Sequence, residues 1–145
     1  MPSPRPTRAK SKKALLGGCL CGRVRYRVTL PAIDAGFCHC RLCQRSAGAP
    51  TLAWGTFSID AFRYTKGEPR VYRSSRQAVR DFCGDCGTQL CFRRHRSDQI
   101  DVTLASLDEP RRLAPEYHIW RMSRIPWFDT GDSLPRHRDG APDRF

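Results

Sequence analysis

A chain of 145 residues with 39% hydrophobic content is long enough to bury one compact core and too short for two, and no apolar run approaches the roughly 20 residues of a membrane-spanning helix. Its eight cysteines stand behind an N-terminus without the apolar centre of a secretory signal, which argues for a reducing, cytoplasmic setting and against a disulfide scaffold. A net charge of +12 excludes neither an anionic small-molecule substrate nor nucleic acid.

Residues 1–13 hold Arg5, Arg8, Lys10, Lys12 and Lys13 with no acid, and Pro2, Pro4 and Pro6. This composition predicts a disordered basic arm, either a solubilising tail or a charge-driven contact with nucleic acid or a membrane surface. A β domain is expected over 14–135. It opens with "GGCLCGRV", in which Cys19 and Cys21 sit among Gly17, Gly18 and Gly22. In "GRVRYRVTL", Val24, Tyr26, Val28 and Leu30 alternate with Arg23, Arg25, Arg27 and Thr29, the period-2 pattern of a strand with one core face and one basic face. "FCHCRLCQRSAG" follows, with Cys38, Cys40 and Cys43 closely spaced and the only convincing helical turn at 41–47.

Further strands are expected at 51–57, 61–65 and 70–74, separated by turns such as Lys66-Gly67 and Glu68-Pro69. "FCGDCGTQL" then places Cys83 and Cys86 on a tight turn ending in Gly87. Strands at 88–94, 100–105 and 116–122 complete an all-β domain, and 136–145 reads as a loose tail.

Four thiolates close a tetrahedral zinc site, and such closed sites are structural; three leave a corner for water or substrate. The knuckle at Cys83 and Cys86 supplies two sulfurs, and its Gly87 permits the positive φ of the turn. Cys19 and Cys21 supply the other two. Cys38, Cys40 and Cys43 then remain as a second, open zinc site. The competing reading closes that site with Cys91 or His39. However, Cys91 lies mid-strand in "TQLCFRR", where a lone cysteine is usually a small buried hydrophobe, and His39, between two ligands, is expected to point away from their ion.

The series "GGCLCGRVRY", "CHCRLCQRSAGAP", "FCGDCGTQL", "IDVTLASLDEP" and "PEYHIWRMSRIPWF" resembles the glutathione-dependent formaldehyde-activating enzyme family, which includes centromere protein V, from about Gly17 to Pro135. The resemblance implies a β-tent fold of antiparallel sheets around zinc. It implies a structural zinc on Cys19, Cys21, Cys83 and Cys86 and a catalytic one on Cys38, Cys40 and Cys43. The activity it implies is that of a carbon–sulfur lyase joining glutathione or a related thiol to a small aldehyde.

Soft thiolates around an open corner favour a soft fourth ligand, in keeping with a thiol substrate. Arg41 and Arg45 flank the three cysteines and are candidate contacts for a glutathione-like anion, or else solvated surface groups. His118, at a family position in "PEYHIW", is a candidate contact or acid–base group, or else a satisfied structural histidine. Trp54, Trp120 and Trp127 are candidates for a cleft wall or for packing. The alternatives to the lyase are a thiol or zinc carrier without turnover, and a nucleic-acid binder using the arm and the Arg23, Arg25, Arg27 face.

Overall fold

A computed structural model describes residues 13–140. In chain order the strands are β1 (Ala14–Gly18), β2 (Arg25–Thr29), β3 (Asp34–Cys38), β4 (Leu52–Ser58), β5 (Phe62–Lys66), β6 (Arg70–Arg73), β7 (Ala78–Phe82), β8 (Gln89–Arg94), β9 (Gln99–Thr103) and β10 (His118–Ile119). Among the described residues one α-helix, α1 (Arg41–Ala47), follows β3. The strands form a small sheet in the order β1-β2-β5 and a large sheet in the order β10-β3-β4-β9-β8-β7-β6. All pairings are antiparallel except the short parallel pairing of β10 with β3.

The alternation read in β2 is realised: Tyr26 and Val28 are buried, and Arg25, Arg27 and Thr29 between them are half-exposed. Leu15, Tyr26 and Val28 of the small sheet meet Phe57, Leu90, Ile100 and Val102 of the large one in a single cluster. Each such aliphatic or aromatic side chain contributes about 2 kcal/mol when fully withdrawn from water. Tyr26 lies in register opposite Gly17. Any Cβ at Gly17 would enter the Tyr26 ring, so glycine makes room for a tyrosine whose hydroxyl bonds Ser106 Oγ at 2.7 Å.

Three strands, β1, β3 and β7, lie where the sequence predicts none. Conversely, the strand expected over 116–122 shrinks to His118–Ile119. The chain leaves it at Trp120, whose φ of 58° lies in the left-handed region, and a 3-10 turn follows at Arg121–Ser123.

The expected loose tail begins instead in a hydrogen-bonded segment beside β10. His118 N donates to Pro135 O and His137 N to His118 O, both at 2.8 Å, and Trp120 N donates to Asp139 O at 2.8 Å. Of the basic arm only Lys13 is among the described residues, and its carbonyl accepts from Leu30 N at 2.7 Å. Residues 1–12 and 141–145 lie outside them. Among the described residues no helix is long and apolar enough to cross a membrane.

Candidate metal centres

Cys19 and Cys21 follow β1, and Cys83 and Cys86 occupy the turn between β7 and β8. Their four Sγ atoms lie within 4.8 Å of one another, with Cys19 to Cys21 at 3.6 Å and Cys21 to Cys83 at 3.8 Å. Sulfurs each about 2.3 Å from one ion in a tetrahedron sit about 3.8 Å apart, so this donor set fits zinc.

The local backbone serves the same end. Val24 N donates to Cys19 Sγ at 3.3 Å, and Gly87, at φ 81°, turns the knuckle with its N–H on Cys83 O at 2.8 Å. Leu20 N donates to Thr88 Oγ1 at 3.0 Å, lacing the two loops together. The centre therefore joins an end of the small sheet to a hairpin of the large one.

The second group is local. Cys38 ends β3, Cys40 caps α1 and Cys43 lies in its first turn, and their sulfurs also fall within 4.8 Å of one another. Cys40 takes the place of the usual Ser or Asp cap, its Sγ accepting from Cys43 N at 3.3 Å, and the positive end of a helix favours a thiolate there. Hydrogen bonds from Cys38 and Cys43 hold Cys40 well below the usual thiol range. The same bonds, with burial, push Cys38 up. A compact set of three sulfurs fits a soft divalent ion such as zinc.

These cysteines differ from the first four in what they face. Cys38, Cys40 and Cys43 line a cavity of about 480 Å³ whose walls include Trp54, Phe92, Trp120, Arg80, Arg94 and Asp101. None of Cys19, Cys21, Cys83 and Cys86 is on that lining.

His39 turns away from the cavity. Its Nε2 lies 2.8 Å from His118 Nδ1, and His118 Nε2 lies 3.0 Å from Asp132 Oδ1. Asp132, His118 and His39 thus form one hydrogen-bonded chain of side chains. Burial, then the Arg121 charge, lowers the His39 pKa to about 4, so the ring is neutral. His118 is fully buried and stacked on Phe37 at 4.8 Å. It braces the cysteine loop from behind and is absent from the cavity lining.

Cys91 belongs to neither sulfur group. It is fully buried in β8, with Tyr64 Oη 3.5 Å from its Sγ, and burial pushes its thiol up.

Arg41 and Arg45 lie exposed on α1 outside the cavity lining, and Arg41 Nη1 bonds Gln44 Oε1 at 2.7 Å. The cations on the lining are Arg80 and Arg94, neither of which sequence reading singled out. The one available clue was Arg80's position three residues before Cys83. Trp54 and Trp120 are wall residues, whereas Trp127 is 76% exposed and outside the lining. The basic face of β2 is partly neutralised, Arg25 pairing with Asp108 and Arg23 with Asp85 at 3.3 Å.

Comparison with known proteins agrees with this arrangement. An uncharacterized lyase of Schizosaccharomyces pombe is 29% identical over 76 residues, covering 52% of this chain and 55% of that protein. The chain thus spans about half the length of that curated relative. The crystal structure of a Rhodobacter sphaeroides protein is 27% identical and superposes with a TM-score of 0.55, covering 64% of this chain and 87% of that one. The family model for the glutathione-dependent formaldehyde-activating enzyme matches residues 14–123, and the chain belongs to that family.

Proposed function

We propose that the chain is a zinc-dependent carbon–sulfur lyase working at Cys38, Cys40 and Cys43, with glutathione or a related thiol and a small aldehyde as substrates. The observation that carries this reading is the cavity of about 480 Å³ onto which all three sulfurs open. Such a volume suits a small organic ligand. A metal bound there supplies a position at which a thiol is held deprotonated. In the forward direction a sulfur–carbon bond forms, the carbonyl π bond opens, and the thiol proton ends on the new hydroxyl; the lyase direction reverses each change.

The chain's own residues provide the setting. Trp54, Phe92 and Trp120 give the cavity apolar walls, which limit water and hold a small carbonyl near the sulfur. Arg80 and Arg94 outnumber Asp101 in charge on the lining, favouring a thiol that bears carboxylates. Cys19, Cys21, Cys83 and Cys86 would hold a structural zinc that fixes the frame.

The carrier reading has its own supporting observation. His39 and His118 bond each other rather than facing the cavity, which among the described residues leaves Asp101 as the only carboxylate or imidazole on the lining. Exchange of glutathione with formaldehyde, followed by NMR with and without the protein, separates the two. Faster exchange supports the lyase; glutathione binding without a rate change replaces it with the carrier.

A further inference from the structure

Arg80 is 6% exposed, and withdrawing a guanidinium from water costs several kcal/mol unless charge and hydrogen bonds replace its hydration. No carboxylate among the described residues forms an ion pair with it. Its neighbour Asp81 points to the other face of β7, bound to Tyr64 Oη at 2.7 Å and Arg93 Nη2 at 2.7 Å.

Arg80 instead lies 5.1 Å from the Phe92 ring centroid and 5.9 Å from that of Trp54, within reach of cation–π attraction. Its Nη1 donates to Ser46 Oγ at 3.1 Å and its Nη2 to Cys43 Sγ at 3.7 Å. The one group it reaches that becomes anionic on binding a metal is therefore the Cys43 sulfur. Three thiolates and a divalent cation sum to one negative charge, which one guanidinium cancels.

We propose that Arg80 is the positioning residue of the three-cysteine centre, giving it a counter-charge and an N–H donor to Cys43 Sγ and thereby setting its hold on metal and the charge Cys43 donates to it. This rests on the reading that Cys38, Cys40 and Cys43 bind a metal. Donors of this kind behind a ligand typically set metal affinity by 10- to 100-fold.

The full chain loaded with Co²⁺ tests this through its sulfur-to-cobalt charge-transfer band, with Zn²⁺ competition giving the affinity of each centre. Arg80→Met should lower Zn²⁺ affinity at the three-cysteine centre by about 10-fold or more, leave the four-cysteine centre unchanged, and move the band to lower energy as Cys43 loses its donor. Arg80→Lys should restore most of the affinity through its charge while leaving the band shifted. Ser46→Ala, an exposed change that frees Nη1, should shift the band the same way by less.

Wild-type affinity and band in Arg80→Met overturn the proposal, as does an equal loss at both centres, which would mark general loosening. If Arg80→Met does not fold, wild-type values in both Arg80→Lys and Ser46→Ala overturn it. Uptake of only one Co²⁺ by the unmutated chain, at the four-cysteine set, would remove the underlying reading instead.

Discussion

The two cysteine groups use the same ligand and hold their sulfurs within the same 4.8 Å of one another, yet they stand in opposite relation to the fold. Cys19 and Cys21 meet Cys83 and Cys86 across two sheets, so those sulfurs converge only when the tertiary structure has formed. Cys38, Cys40 and Cys43 converge through the end of one strand and the cap of one helix. Thr51 Oγ1 on Cys38 O at 3.0 Å and Gln44 Nε2 on His39 O at 2.7 Å hold that loop in place. The groups differ in ligand number and also in origin: the four sulfurs must wait for the tertiary fold, whereas the three are presented by one local element.

The sharpest way to break this comparison is Cys83→Ser or Cys19→Ser. Metal energy at a closed site is folding energy, with apparent values of about 10–16 kcal/mol for structural zinc, comparable to or larger than the whole stability of a small domain. Either variant should lose its cooperative thermal transition by circular dichroism. A transition within a few degrees of the parent would end the division of labour.

Next in size is Cys40→Ser, which should remain folded but drop from two zinc ions per chain to one by elemental analysis and lose glutathione binding. Retention of both ions would show that the open centre does not depend on this thiolate.

Cys91→Ala should cost on the order of 1–2 kcal/mol, because it hollows a packed site. Sulfur coordination measured by X-ray absorption should nevertheless match the parent, and should still rise as glutathione is titrated in. If the substitution changes the coordination while added thiol does not, the second centre is closed by Cys91 and both the lyase and the carrier readings fail.

The smallest effect is expected from the pair Arg41→Ala and Arg45→Ala, within about 0.5 kcal/mol in stability and with glutathione affinity unchanged. A loss of affinity there would place the substrate outside the cavity.

The parts legible in sequence are those whose signal is local. The β2 alternation and the cysteine spacings are read within a few residues. β7 is hidden because Arg80 and Asp81, both buried, break any apolar alternation; their partners lie on α1, β5 and β8. β1 and β3 were hidden by Gly17, Gly18 and Gly36, which weaken a strand signal but serve close packing, Tyr117 lying where a Gly36 side chain would go.

Arg41 and Arg45 neighbour Cys43 in sequence yet lie off the cavity lining. Each is two positions from Cys43, about 200° around a helix, so the helix that presents the cysteine to the cavity turns both arginines to solvent.

Trp120 closes one wall of the cavity from a left-handed backbone conformation, which costs a non-glycine residue roughly 1–2 kcal/mol. Its N–H is tied to Asp139 O at 2.8 Å and its carbonyl accepts from Ser123 N at 3.0 Å, so the surroundings impose the conformation on the residue. A glycine would sit there without strain but would remove the indole. The molecule thus accepts a less stable backbone in exchange for an aromatic ring that cannot easily retreat, and selection among ligands at this wall becomes a matter of fixed shape rather than of adaptation.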